Sequence, residues 1–237
     1  MALKKYLIEF LGTFFLTITI LFSANPLAVG AILAVLIFLG SQEGEAHYNG
    51  AVSLASFLLK KIDIKTLLLF LISQAVGALL AFSLAALILP TQAQVQPKLS
   101  VANAAVGELF FTLLLVSTVL SSKPKEDKIS IVMIGLALFA SAASLTNISG
   151  GLINPSVGLG NILYGLLSLN VSMSAVIVYI IAPLLGGTAA FVLQKMNQKA
   201  ALKKNQSQAE KMNLPIQTVD IHELERVKIL SKSMVTT

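Results

Sequence analysis

Two short apolar segments, each opening on an asparagine, limit most severely what this chain can fold into. His47-Tyr48-Asn49-Gly50-Ala51-Val52 and Leu152-Ile153-Asn154-Pro155-Ser156-Val157 echo one another, with the asparagines 105 positions apart. An α-helix rises about 1.5 Å per residue, so crossing a hydrocarbon core of about 30 Å takes roughly 20 apolar residues. The runs at about 49–59 and 154–166 are each about half that length. Yet the 237-residue chain around them is 56% hydrophobic and only 12% charged, a composition suited to lipid. Two half-length helices in such a chain must enter the bilayer and stop near its centre, as re-entrant half-helices.

Six other stretches are long enough to span: about 4–23, 26–42, 64–89, 103–121, 129–146 and 173–194. Lysine and arginine collect in short cytoplasmic loops, which tests this count. With the amino terminus inside, 16 of the 17 basic residues fall on the inner side, and only Lys98 falls outside. Counting either half-helix as a full span scatters them. Both termini are therefore expected in the cytoplasm, with the chain in the cell membrane. The amino-terminal apolar run lacks a small-residue cleavage site and reads as the first span, not a removed signal peptide. The net charge of +6 is the sum of the lysine bias and gives no reason to invoke nucleic acid. Cysteine is absent, which removes disulfides, thiol nucleophiles and thiolate metal sites. No metal or other cofactor is expected.

The two halves match beyond the asparagines. Glu9-Phe10-Leu11-Gly12-Thr13 in the first span corresponds to Glu108-Leu109-Phe110-Phe111-Thr112 in the fourth, and Gln74 and Gly77 in the third correspond to Pro183 and Gly186 in the sixth. Each half makes an odd number of crossings, so the second is inserted upside down. Inverted repeats with broken helices place the functional site at the midplane. Asn is a favoured N-cap and Pro a favoured first helical residue, so Asn154-Pro155 starts a helix, and Asn49-Gly50 is a weaker form of the same start. The two partially positive N-termini then face each other, with unpaired carboxamide donors on Asn49 and Asn154. Irregular backbone ahead of them is tolerable at that depth only along a water-filled path. Such a path suits water or a neutral hydroxylated solute. No paired carboxylate, nucleophile with base or ligand cluster sits within the spans, so an enzyme is not expected.

With these residues the chain resembles the major intrinsic protein family, the aquaporins and glycerol facilitators. The likeness covers about residues 4–194 and rests on Glu9 to Phe15, Ala46 to Asn49, Gln74 to Gly77, Gly135 to Leu138, Gly150 to Pro155 and Tyr179 to Gly186. It implies an all-α membrane fold, an aquaporin-like right-handed bundle of six transmembrane helices plus two re-entrant half-helices, assembled as a homotetramer in the lipid bilayer. It further implies Asn49 and Asn154 at the pore centre, half-helix starts at Gly50, Ala51, Pro155 and Ser156, and loop bracing by Glu9 and Glu108. Backbone of Glu45, Ala46, His47, Tyr48, Gly150 and Leu152 would line the pore. The family usually carries Asn-Pro-Ala twice, with an arginine after the second. Here Gly50 replaces the first proline, Ser156 the second alanine, and Val157 the arginine. The rest of the family's selectivity ring falls on Val29, Ala142 and Gly151, which implies a wide apolar constriction.

The expected function is a passive channel for small uncharged solutes (glycerol-like polyols, urea, neutral metalloid acids) and water. Two alternatives stay open: a poorly selective or cation-conducting channel, suggested by the missing arginine and by Glu43 and Glu45 at the inner mouth, and a structural membrane protein with a closed pore. Residues 1–194 form the expected channel domain, with repeats at about 1–90 and 103–194. Residues 195–237 form a polar, basic cytoplasmic tail, expected to be mobile, with one candidate helix at 220–231.

Overall fold

The computed structural model describes residues 2–43, 46–89, 94–170 and 172–211. Every regular element among them is helical. In chain order these are α1 (Ala2–Ser23), α2 (Pro26–Gly40), α3 (Gly50–Leu58), α4 (Ile64–Ile88), α5 (Val101–Ser121), α6 (Lys128–Leu145) and α7 (Pro155–Leu167). The last helix begins as α8 (Met173–Val176), passes through a π-helical turn at Ile177–Ile181 and continues as α9 (Ala182–Lys211). Five helices are long and apolar enough to cross a membrane. The sixth span is α2, apolar but only 15 residues long.

Side-chain caps set where the helices begin. Asn25 accepts from Leu27 N with Pro26 in the first turn, Asp63 from Thr66 N, and Asp127 from Ile129 N. These caps satisfy N–H groups that the first turn leaves without an intrahelical partner. Hydrogen bonds from Thr66 hold the exposed Asp63 carboxyl below its usual range.

Burial runs opposite to that of a soluble protein. Phe15, Phe38, Leu39 and Phe110 point outward, whereas Glu9, Gln74 and Glu108 are almost wholly enclosed. Lipid is the solvent for such a surface. Close crossings use repeat-related glycines. A Cβ on Gly77 would collide with the Phe10 carbonyl oxygen, and one on Gly186 with that of Leu109. In the α2–α6 crossing a Cβ on Gly30 would stand 2.5 Å from the Gly135 carbonyl oxygen, and one on Gly135 2.7 Å from that of Gly30. Small residues let backbones approach where hydrophobic burial offers no drive.

Two features differ from the sequence reading. The sixth span contains a π turn, closed by Ala182 N donating to Ile177 O, just ahead of Pro183. Proline has no N–H for the Tyr179 carbonyl one turn back, and the wider turn accommodates that loss. Gly158 of α7 packs directly against this carbonyl. The second difference is that α9 does not stop near residue 194 but continues to Lys211. Residues 195–211 are polar, which reads as tail, but they are rich in Ala, Lys and Gln and contain neither Gly nor Pro, so helix propensity carries on where hydropathy ends. The chain divides into two units, Met1–Val192 and Leu193–Thr237. The candidate helix at 220–231 lies outside the described residues.

Candidate functional site

Each half-helix starts on its asparagine, and the two starts are near copies. Asn49 (φ −152°, ψ 123°) accepts from Ala51 N at 2.9 Å, and Asn154 (φ −153°, ψ 105°) accepts from Ser156 N at 3.0 Å and Val157 N at 3.3 Å. The approach to each cap bends the same way. Ala46 and Tyr48 both have φ 51°, and their counterparts 105 positions on, Gly151 and Ile153, have φ 70° and 50°. Residues other than glycine rarely adopt positive φ, so something outside these loops must hold them.

Two buried carboxyls do so. Glu9 accepts from His47 N at 2.6 Å and Tyr48 N at 2.7 Å. Glu108 accepts from Ser149 Oγ at 2.6 Å, Leu152 N at 3.0 Å and Ile153 N at 2.6 Å. Tyrosines reinforce both loops: the Tyr48 hydroxyl donates to Leu36 O at 3.0 Å, and that of Tyr179 donates to Ser149 O.

The two stubs meet tip to tip. Asn49 Nδ2 donates to Ile153 O at 2.9 Å, and Asn154 Nδ2 donates to Tyr48 O at 2.7 Å. This corrects the expectation of unpaired carboxamides, because one N–H of each is committed to the opposite repeat. An amide nitrogen carries two hydrogens, so the second of each remains for the cavity that both residues line.

The departures at Gly50 and Ser156 fit each other. A Cβ on Gly50 would lie 2.6 Å from Ser156 Oγ, so the serine hydroxyl fills the space that a larger first residue needs. Glycine also has the N–H that proline lacks, and it donates to Asn154 Oδ1 at 3.4 Å. Ser156 Oγ in turn donates to Gln74 Oε1 at 2.7 Å, while Gln74 Nε2 donates to Glu9 Oε2 at 2.7 Å and Ser53 Oγ at 3.0 Å. One glutamine therefore ties both stubs to the brace of the first repeat. Sequence reading placed Gln74 in the repeat but gave it no role; its signal is a lone carboxamide in the middle of a 25-residue apolar helix.

Two cavities share Gly151 of the loop ahead of α7, and the first of them reaches the meeting point of the stubs. The first, about 40 Å³, is bounded by Ala46, His47, Tyr48 and Leu152 of the loops, by both asparagines, and by aliphatic side chains including Leu16, Leu33 and Leu138. The second, about 370 Å³, is bounded by Ala24 to Pro26, Gln94 to Gln96, Lys98, Ala142, Thr146 and Gly150. Ile20, Val29 and Gly151 face both cavities and mark where they meet.

Three of the four expected ring residues, Val29, Ala142 and Gly151, thus gather around the second cavity. Val157 does not. It is fully buried in a cluster with Leu21, Phe82, Leu152, Val178 and Tyr179, and lines neither cavity. Its short branched side chain packs into the wall. Ile20 was missed, although it lies eleven residues after Glu9, three helical turns along the same face. Ile20 adds an aliphatic side chain where the two cavities meet, and the second cavity is much the larger of the two.

The remaining expected residues fall as follows. Ala51 and Pro155 are buried in the first turns of α3 and α7, Ala51 against Gly187 of α9. The His47 ring has Nδ1 3.1 Å from Ser53 Oγ and Nε2 3.3 Å from Ser56 Oγ, with Phe70 edge-on. Both ring nitrogens are therefore occupied by hydroxyls. Glu43 pairs with Lys4 at 2.7 Å and lines neither cavity. Glu45 lies outside the described residues. Among those described, no cluster of three His, Cys, Asp or Glu could hold a metal ion.

Paired asparagine caps, mirrored carboxyl braces and an inverted repeat are now in place, and a sequence profile of the major intrinsic protein family matches residues 1–146 and again 125–227. The chain belongs to the major intrinsic protein family. It is 28% identical over 218 residues to the glycerol uptake facilitator protein-like 6 of Lactiplantibacillus plantarum, across 83% of this chain and 100% of that protein. In fold it matches the aquaglyceroporin from Plasmodium falciparum with a TM-score of 0.66, over 82% of this chain and 94% of that one, at 20% identity. The protein is accordingly a multi-pass membrane channel and not an enzyme.

Proposed function

We propose that this channel passes small uncharged solutes (glycerol-like polyols, urea or neutral metalloid acids) together with water. The observation that carries this reading is the junction itself: Ile20, Val29 and Gly151, common to both cavities, bear no charge and no side-chain polar atom, while Asn49 and Asn154 stand next to it as the polar groups of the lane. Apolar walls with a few fixed donors favour a solute that has both a carbon face and hydroxyls. Helix N-termini abutting at the centre disfavour a bare cation. The name of the Lactiplantibacillus relative points the same way. The ring proposed here is Val29, Ala142 and Gly151, with Ile20 added and Val157 as packing behind it. The proposal includes both termini in the cytoplasm of the cell, following the lysine bias, a homotetramer, a channel domain at 1–194 and a cytoplasmic tail at 195–237.

One observation favours a second reading, a closed structural channel. The first cavity, at about 40 Å³, holds only about three waters. Swelling of vesicles containing the purified protein, measured with water, urea, glycerol and larger polyols, separates the two. Trimming the junction sharpens the test. Val29→Ala and Ile20→Ala are expected to raise glycerol flux relative to water, on the order of tenfold, which corresponds to a barrier lowered by about 1.4 kcal/mol. Val29→Phe is expected to lower it by a similar factor. Flux that stays at background in the wild type and in both alanine variants would establish the closed reading.

A further inference from the structure

The second cavity carries one formal charge among the described residues that line it, that of Lys98. Its other polar lining is neutral: Asn25, Gln94, Gln96 and Thr146. Among the described residues, the segments at this end (24–25, 94–100, 146–154 and 168–170, with Ser172) contain no Asp or Glu, so no carboxylate among them offsets the ammonium.

Lys98 is also held in place by its backbone. Lys98 N and Leu99 N donate to Ile148 O at 2.9 and 3.1 Å, two residues before Gly150 of the pore lining. Upstream, the Asn161 carboxamide pairs with both sides of Val95: Val95 N donates to Asn161 Oδ1 at 3.1 Å, and Asn161 Nδ2 donates to Val95 O at 2.8 Å. The Val95 side chain lies against Gly150, where a Cβ would come within 2.5 Å. The segment is therefore strapped to α7 and to the second pore loop, with its lysine over the mouth of the lane.

We propose that Lys98 determines ionic specificity: its fixed positive charge keeps cations out of the second cavity before they reach the junction. Lys98 is itself exposed, but it stands at the edge of a cleft whose other lining is neutral and largely apolar, and a cleft lined by one sign of charge with low-dielectric walls changes local ion concentration by about tenfold or more. The aliphatic side chains of the junction beyond carry no charge, so a cation that passes Lys98 meets opposition only from the helix N-termini at the centre. The assignment rests on the neutral-solute reading and names what guards that site against ions.

The test uses the full-length protein in vesicles and planar bilayers of uncharged phosphatidylcholine, with wild type, Lys98→Arg, Lys98→Gln and Lys98→Glu. The ratio of potassium to glycerol permeability is expected to stay at the wild-type level in the arginine variant, to rise in the glutamine variant, and to rise about tenfold or more in the glutamate variant. The rise is expected to fade as salt goes from about 0.01 M to about 1 M, because the Debye length shortens from about 30 Å to about 3 Å. A merely structural lysine gives no such salt dependence. A ratio unchanged in both Lys98→Gln and Lys98→Glu at low salt overturns the assignment and leaves the neutral-solute reading untouched. Absent glycerol flux in the wild type overturns that reading instead, and potassium entry in the variants then decides Lys98 without it.

Discussion

Replacing Glu108 with alanine is expected to remove most of the folded channel from the membrane while leaving the selectivity of the surviving fraction unchanged. Glu108 is fully buried and accepts from three donors on the loop ahead of α7: Ser149 Oγ, Leu152 N and Ile153 N. Without it these donors have neither water nor a partner. A buried unsatisfied donor costs about 1 to 3 kcal/mol, so the loss is on the order of 4 kcal/mol, in the range that few single substitutions reach. The same loop holds Ile153 at φ 50°, a conformation that such a residue does not keep unaided. Glu9→Ala should behave alike, since Glu9 accepts from His47 N and Tyr48 N in the other repeat. Yield and monodispersity by size exclusion after solubilisation, combined with flux per folded protein, check the result. A well-folded Glu108→Ala protein with altered solute selectivity would show that this carboxyl acts on permeation directly.

Gly50→Pro is expected to destabilise the junction even though it introduces a residue that suits a helix start, and Ser156→Ala is expected to rescue it. Proline at the first helical position is favourable by itself. Here its ring would enter the space of Ser156 Oγ, 2.6 Å from the position of a Cβ, with Pro155 Cγ and Leu71 Cδ2 each at 3.1 Å. The substitution also removes the N–H that Gly50 donates to Asn154 Oδ1. Ser156 yields poorly because its hydroxyl donates to Gln74 Oε1 at 2.7 Å. Overpacking and the lost bond together should cost about 2 to 3 kcal/mol. Ser156→Ala alone should cost about 1 kcal/mol through the bond to Gln74. If the two positions are matched in size, the double variant recovers at least about 1 kcal/mol relative to the sum. Unfolding midpoints in one detergent for the four proteins give this cycle, and strict additivity would refute the pairing.

The half-helices were legible because their evidence is local. A cap and a half-length apolar run can be read residue by residue, and Asn49 and Asn154 start α3 and α7 where that reading put them. The repeat was legible for a related reason: an odd number of crossings per half leaves only the inverted arrangement. Reading failed where the answer depended on which side of a helix faces the lane. Val157 and Ile20 are both aliphatic and carry no pattern that assigns one to packing and the other to the junction. The helix of 195–211 escaped because hydropathy, tuned to lipid, does not register a polar stretch of good helix formers.

What the amino-acid order alone determined is the set of spans, the two stubs and their mirror relation, since length, caps and hydropathy act along the chain and need no partner. The tertiary structure alone decided where the polar groups go: the carboxamide N–H groups bond across the junction, Gln74 bonds both stubs, and Lys98 lines the second cavity. Those assignments depend on residues far apart in the chain, from Lys98 and Ile148 to Tyr48 and Asn154, arriving within about 3 Å of one another, the range over which a hydrogen bond forms. No local property of the chain encodes such a distance; it follows from how the helices pack at glycines such as Gly30, Gly77, Gly135 and Gly186.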